Sequence, residues 1–126
     1  GVRAPGEPPR HSAHWVVAFC PDWFEPCQKI EEPFAGQATK WQSDLNRGRL
    51  LSLAVRFGKV DCATQKPLCN QQGVDAYPTI HHYAGGKIVG TFRGGRPDPD
   101  AKRLDTWLTK SLGGLLQQEE GAALGA

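Results

Sequence analysis

Four cysteines and two adjacent histidines are the side chains of this chain that could carry out chemistry. They are Cys20, Cys27, Cys62, Cys69, His81 and His82. A thiol can form a disulfide, can attack another disulfide as the thiolate, or can bind zinc together with histidine. No cysteine and histidine stand at a zinc-site spacing, and neighbouring strand residues such as His81 and His82 point to opposite faces of a sheet. Any chemistry of this chain is therefore expected at its thiols, and we expect no metal site and no cofactor.

Length and charge narrow the classes of function further. The chain has 126 residues, the size of one ordinary domain. Its formal net charge of +2 argues against nucleic acid as a partner. No apolar run approaches the ~18 residues that a membrane span requires. The chain begins with Gly1 and contains no methionine, so we expect a processed product or a piece of a longer protein.

The predicted elements that position the cysteines follow the order β-α-β-α-β-β-α. Apolar runs rich in β-forming residues, helical spacing of apolar residues and a glycine turn between two short strands indicate these elements. We predict strands over residues 15–20, 51–61, 79–83 and 87–92, and helices over residues 24–46, 66–71 and 100–112. The domain organisation is an irregular lead-in over 1–14, a folded domain over 15–112 and a flexible tail over 113–126. The parallel pair implied by the strand–helix–strand start, with the antiparallel hairpin, places the chain in the α/β class.

Four short motifs carry a family resemblance. In chain order they are Trp23-Phe24-Glu25-Pro26-Cys27, Lys59-Val60-Asp61-Cys62, Tyr77-Pro78-Thr79 and Gly95-Arg96. Together they resemble the thioredoxin fold and, more closely, the catalytic-type domains of the protein disulfide isomerase family, over about residues 15–112. The resemblance implies a mixed sheet flanked by helices. The family's N-terminal strand and helix are expected to be short or absent, because only residues 1–14 precede the first predicted strand.

The family's redox motif, Trp-Cys-x-x-Cys, is altered in this chain. Phe24 stands where the resemblance places the attacking cysteine, and Cys27 stands at the position of the resolving one. Ala18 replaces the buried carboxylate that takes a proton from the second thiol. Lys59 and Arg96 match the family's partner of that carboxylate and the arginine that tunes the second thiol. The resemblance therefore implies a degenerate site without catalytic residues, in which Cys27 could act only as a monothiol.

The resemblance also implies how the cysteines are used. Cys62 and Cys69 match a structural disulfide of some disulfide isomerase domains. For Cys20 and Cys27 we expect two separate core thiols. A bridge between them is conceivable, but it would have to join a strand end to a helix with Cα atoms about 4.4–6.8 Å apart, which makes it doubtful.

A docking surface is the other implication of the resemblance. In the family the proline corresponding to Pro78 is cis and its loop pairs with an extended substrate peptide, which requires no thiol. We predict a surface for a partner protein or peptide, formed by Trp23, Phe24, Tyr77, Pro78 and Thr79. The alternative for Phe24 is that its ring folds inward as core filling.

The resulting interpretation is a redox-inactive domain that binds protein or peptide, or serves as a structural subunit of a larger multi-subunit complex, rather than an enzyme. Two alternatives stay open: a monothiol oxidoreductase or isomerase that uses Cys27, and a non-catalytic domain of a larger disulfide oxidoreductase. A disulfide between Cys62 and Cys69 implies an oxidising compartment. We expect the endoplasmic reticulum or secretory pathway first, and another organelle lumen such as the thylakoid as the alternative.

Overall fold

A computed structural model describes residues 14–46, 55–95 and 100–125 of the chain. The elements are β1 (His14–Cys20), α1 (Glu25–Asn46), β2 (Val55–Asp61), α2 (Lys66–Gln71), β3 (Thr79–Ala84), β4 (Lys87–Arg93) and α3 (Asp100–Gly125). Their order is the predicted one. The predicted lead-in, apart from its last residue, and the predicted start of the second strand over residues 51–54 lie outside the described residues.

One four-stranded mixed sheet organises the fold, with the strand order β2-β1-β3-β4. β1 runs parallel to β2, and β3 runs antiparallel to both β1 and β4. Because β1 and β2 are parallel, their carboxyl ends, Cys20 and Asp61, lie opposite each other at one edge of the sheet. The segments that follow the two strands start at this edge, and all four cysteines lie at the end of β1 or in these segments.

Strand β1 is covered on both faces. Val16 and Ala18 belong to the core cluster that the sheet forms with α1 and α3, whereas Phe19 belongs to a second cluster that includes Cys69 of α2. Alternate residues of a strand point to opposite faces, so a strand covered on both sides is a near-continuous apolar run. The run of residues 15–20 was predicted as a buried strand for this reason. The fold is a mixed α/β sheet flanked by helices, as expected.

Helix α3 differs from its prediction in length. It reaches Gly125, whereas the predicted helix ended at Leu112 and was followed by a flexible tail. The helix continues through Gly113-Gly114, directly after its predicted end. Glycine lowers helix propensity by about 1 kcal/mol relative to alanine, but unlike proline it keeps the backbone N–H that the helix needs. In the described part of the chain no helix is long and apolar enough to cross a membrane.

Candidate functional site

The segment between β1 and α1 is closed by a disulfide. Cys20 and Cys27 are bonded, with their Cα atoms 5.9 Å apart, so the expectation of two separate core thiols is wrong. The backbone N–H of Phe24 donates to the carbonyl of Pro21 (3.2 Å), and this turn folds the first turn of α1 back onto the end of β1. Pro21-Asp22 indicates that the strand ends there, but the sequence does not show that the turn brings the two sulfurs within bonding distance. The sulfur of Cys27 is thus bonded in this structure rather than free.

A second disulfide lies beside the first. Cys62, directly after β2, is bonded to Cys69 in α2, again with Cα atoms 5.9 Å apart, as the family resemblance implied. The backbone N–H of Cys62 donates to the carbonyl of Cys20 (3.1 Å). This hydrogen bond continues the parallel pairing one step past the strand ends. The two disulfides therefore tie neighbouring strand ends to the helices that follow them.

Three aromatic side chains form what we call the aromatic surface: Trp23, Phe24 and Tyr77. The ring centroids of Trp23 and Phe24 are 5.7 Å apart, and those of Phe24 and Tyr77 are 6.3 Å apart, both edge-to-face. Trp23 is 70% exposed, and the other two are half-buried. Phe24 is thus neither fully exposed nor core filling, because its ring lies between a surface indole and a partly buried phenol.

The loop that ends in Pro78 borders the aromatic surface. The Tyr77–Pro78 peptide bond is cis, in agreement with the expectation from the resemblance. The hydroxyl of Thr79 donates to the carbonyl of Ala76 (2.7 Å), and the N–H of Gly94 donates to the carbonyl of Pro78 (3.0 Å). Both bonds hold the loop against the start of β3 and the end of β4. Arg96, predicted as a tuning residue, lies outside the described residues.

A cavity of about 250 Å³ lies against the Cys20–Cys27 disulfide, between α1 and the ends of β1 and β2. Its apolar lining includes Ala18, Ile30 and Phe34, all of them buried. Its charged lining residues are Asp22, Glu31, Lys59 and Asp61. Lys59 thus lies at the same cavity as the methyl group of Ala18, where the family resemblance implies a buried carboxylate. None of the three acidic residues that line this cavity is buried.

The two histidines of β3, His81 and His82, contact different partners. The ring of His81 lies 3.0 Å from both the Thr91 hydroxyl and the Gln72 carbonyl. Nε2 of His82 lies 3.1 Å from Nδ1 of His14. Burial, and secondarily the charge of His14, lowers the pKa of His82 to about 4, so the pair is neutral near pH 7. The described residues contain no group of three metal-binding side chains.

The pair formed by His14 and His82 was missed in the sequence. The two residues lie on strands that are far apart in the chain, and only the register between β1 and β3 brings them together. Burial also lowers the pKa of His14 and that of His81, and raises the pKa of Tyr83 to about 12. None of these groups lines the cavity at the disulfide, so they contribute to packing rather than to its chemistry.

Comparisons with known proteins agree with this geometry. Residues 9–110 match the family model described as thioredoxin. The chain is 33% identical over 87 residues to mouse protein disulfide-isomerase A5, covering 68% of this chain and 15% of that protein. It is 30% identical over 106 residues to DnaJ homolog subfamily C member 10 of Pongo abelii, covering 83% of this chain and 12% of that protein. Among solved structures, the thioredoxin of Malassezia sympodialis superposes with a TM-score of 0.63 at 24% identity, covering 80% of this chain and 76% of that one.

The similar proteins are mostly much longer than this chain. A rice relative, protein disulfide isomerase-like 5-1, is 29% identical over 82 residues, which are 65% of this chain and 50% of that protein. The chain therefore spans between 12% and 50% of the length of these relatives. What they have in common with it is a single domain of the architecture described above.

Proposed function

This chain belongs to the thioredoxin family, and from that premise we propose that it is a docking domain for an extended peptide segment of a partner protein and does not catalyse thiol–disulfide exchange. The observation that carries the proposal is the aromatic surface. Trp23 is 70% exposed although its ring contacts that of Phe24. An exposed aromatic group beside a rigid loop is typical of a surface at which a partner is bound.

The energetics of binding favour this surface. Trp and Tyr combine a large apolar area with a polar group, and a few such residues supply most of the binding energy of an interface. Trp23, Phe24 and Tyr77 form a continuous row, and the loop of Pro78 and Thr79 holds one end of it. An extended peptide that lies along this loop could use backbone hydrogen bonds for affinity and its apolar side chains for contact with the row.

Three features support the absence of catalysis. Phe24 occupies the position of the attacking cysteine, so the motif is degenerate in our interpretation. Cys27, the resolving position, is only 3% exposed, so a substrate disulfide has little access to its sulfur. Ala18 supplies no carboxylate to accept a proton. Catalytic exchange requires an accessible thiolate and a second thiol that releases the mixed disulfide.

We place the domain in a larger assembly within an oxidising lumen. Two disulfides in a chain of this size are typical of oxidising compartments, with the endoplasmic reticulum or secretory pathway as the first candidate and another organelle lumen as the second. Because the chain spans only part of its relatives, the partner segment could belong to the same polypeptide or to another subunit.

Peptide binding tests the docking function. We expect fluorescein-labelled, cysteine-free extended peptides with a central aromatic residue to raise the fluorescence anisotropy on binding. Trp23→Ala and Tyr77→Ala should each weaken binding at least tenfold, since truncating an aromatic anchor removes a large share of the interface energy. Val89→Ala is the matched control, because Val89 is an exposed apolar residue of β4 (58%) outside the aromatic surface. Equal effects of all three substitutions would reject the assignment of the surface.

Insulin reduction tests the absence of catalysis. The chain should turn over insulin disulfides no faster than a variant in which Cys20 and Cys27 are both replaced by Ser. Turnover at the level of a dithiol domain, abolished by Cys27→Ser alone, would show that the domain is an oxidoreductase.

A further inference from the structure

The cavity beside the Cys20–Cys27 disulfide has an apolar inner wall and a charged mouth. Its buried lining residues form the inner wall and are all apolar: Ala18, Ile30 and Phe34. Its charged lining residues are exposed or half-buried and therefore lie at the mouth: Asp22, Glu31, Lys59 and Asp61. An apolar side chain that enters such a cavity is buried at its tip, while the charges at the mouth face the residues on either side of it.

The cavity and the aromatic surface share the segment between β1 and α1. Asp22 lines the cavity and directly precedes Trp23 in the chain. The N–H of Cys27, another lining residue, donates to the carbonyl of Phe24 (3.0 Å). Because consecutive Cα atoms are only about 3.8 Å apart, the mouth of the cavity begins one residue from the exposed indole. A peptide that lies on the aromatic surface can therefore also reach the cavity.

We propose that this cavity holds one aliphatic side chain of the docked peptide, and that the mouth selects peptides in which this residue is flanked by lysine or arginine. The proposal rests on the docking function proposed above and adds the chemistry of the partner segment. That segment carries an aromatic residue for the aromatic surface and, a few residues away, an aliphatic residue between basic ones.

The size of the cavity suits a single side chain. Its volume of about 250 Å³ is below the ~300–1,000 Å³ of sites for separate small molecules. An aliphatic side chain that moves from water to contact Ile30 and Phe34 gains the free energy of apolar burial. The inner wall therefore supplies affinity for the peptide.

The charges at the mouth favour basic flanking residues over acidic ones. Three carboxylates, those of Asp22, Glu31 and Asp61, stand there against one ammonium group, that of Lys59. The ion pairs within the described residues join other side chains, so no described partner neutralises these carboxylates. The negative excess attracts lysine or arginine and repels aspartate or glutamate. Because exposed ion pairs are weak, the mouth contributes selectivity more than affinity.

Four types of fluorescein-labelled peptide test the two parts of the cavity with the full chain. All contain the aromatic residue, and they differ in a second site that is leucine or alanine, flanked by two lysines or by two glutamates. The second site is placed at each of the four positions on either side of the aromatic residue. At one placement, leucine should bind at least tenfold more tightly than alanine, and lysine flanks at least fivefold more tightly than glutamate flanks. The second ratio should fall as the salt is raised from about 0.05 M to 0.5 M.

Variants of the chain assign these preferences to the cavity. Glu31→Gln should lower the ratio of affinities for lysine-flanked and glutamate-flanked peptides about two- to fivefold. Glu32→Gln is the matched control and should leave this ratio unchanged, because Glu32 is exposed but does not line the cavity. Ala18→Leu should abolish the preference for leucine, because the larger side chain occupies the inner wall. Equal effects of Glu31→Gln and Glu32→Gln would overturn the assignment of the mouth.

The same measurements separate this proposal from the docking function. Peptides that bind in a manner dependent on Trp23 and Tyr77, but equally well with leucine and alanine at every placement, would overturn the role of the cavity and leave the docking function in place. Tighter binding of glutamate-flanked peptides would overturn the role of the mouth. If none of the peptides binds, the docking function itself is rejected, and this proposal with it.

Discussion

Phe24 contacts Trp23 on one side and Tyr77 on the other, at the position where the family's motif has its attacking sulfur. In the proposed function, Phe24 therefore replaces the attacking thiol and forms part of the docking surface. Cys27 remains, but its sulfur is bonded to that of Cys20. Restoring exchange thus requires more than a thiol at position 24, because the second thiol must also be released and must have a group that accepts its proton.

A second thiol introduced next to Trp23 should give the chain measurable redox activity. Phe24→Cys combined with Cys20→Ser should create a Cys-x-x-Cys pair with weak insulin-reducing activity. Adding Ala18→Asp should raise the rate at least tenfold, because a positioned acid or base contributes about 10²–10⁴-fold in proton transfer and Lys59 lines the same cavity as Ala18. Insulin turbidity assays measure both rates.

The control for this series is Cys20→Ser alone, which frees Cys27 without supplying a partner and should stay at background. Phe24→Cys alone should also be slow, since Cys20 competes for Cys27. A fully active double variant that retains Ala18 would contradict the role assigned to the missing carboxylate.

The contact between buried His82 and half-buried His14 predicts how the stability of the fold depends on pH. Burial lowers the folded-state pKa of His82 from 6.5 to about 4, so as pH falls from 6.5 to 4 only the unfolded chain takes up this proton. The contribution of this group to stability is therefore complete above pH 6.5 and is lost as the pH falls towards 4. After allowance for solvent screening, the loss between pH 7 and pH 5 is on the order of 1 kcal/mol. His82→Gln should flatten this dependence. Urea unfolding at pH 7 and pH 5 measures the change in the free energy of unfolding for the original chain and for the variant. An equal change in both proteins would contradict the lowered pKa of His82.

At the scale of elements, the loop after β4 approaches the Pro78 loop so closely that it needs glycine. A Cβ atom at Gly94 would lie 2.7 Å from Cγ of Pro78 and 2.8 Å from Oδ2 of Asp100. Neither the proline ring nor the start of α3 can move freely, because Asp100 also accepts hydrogen bonds from Gly95 and Arg103. The contact fixes the Pro78 loop between β3, β4 and α3.

Gly94→Ala should destabilise the fold by about 1–3 kcal/mol, as overpacking of a tight contact does, and should weaken peptide binding by displacing Pro78. Gly36→Ala is the matched control. Gly36 lies in the interior of α1, and a Cβ atom added there would have no other atom within 4 Å. That substitution should stabilise the fold by up to about 1 kcal/mol and leave binding unchanged. Urea unfolding and peptide anisotropy measure both; a neutral Gly94→Ala would contradict the close approach.

The helices and strands that could be predicted from the sequence are those indicated by neighbouring residues. The apolar run of residues 15–20 and the glycine turn between β3 and β4 determine those strands within a few neighbours, so their positions agree with the prediction. The bond between Cys20 and Cys27 depends on the turn at Pro21, which no periodicity indicates. The contact between His14 and His82 depends on strand register. Both are tertiary features: local turn residues such as Pro21-Asp22 indicate where the chain bends, but they do not determine which distant atoms meet.

At the scale of the whole molecule, the disulfides hold one edge of the sheet together. The Cys20–Cys27 bond ties β1 to α1, and the Cys62–Cys69 bond ties β2 to α2. The hydrogen bond from the Cys62 N–H to the Cys20 carbonyl joins the two tied segments. Groups that share such a contact are not expected to contribute independently to stability, so the edge should behave as one unit.

Removing the disulfides singly and together tests this coupling. In each disulfide the two cysteines are 7 residues apart in sequence. The chain-entropy model therefore predicts that each disulfide contributes about 2.5 kcal/mol to the free energy of unfolding. With one bond left, the hydrogen bond between Cys62 and Cys20 still holds the edge. When both cysteine pairs are replaced by Ala, neither of the segments joined by that hydrogen bond is held by a disulfide. The decrease in the free energy of unfolding should then exceed the sum of the two single decreases by at least about 0.5 kcal/mol. Urea unfolding of the four forms gives this difference, and a sum that holds within about 0.3 kcal/mol would show that the two strand ends are stabilised separately.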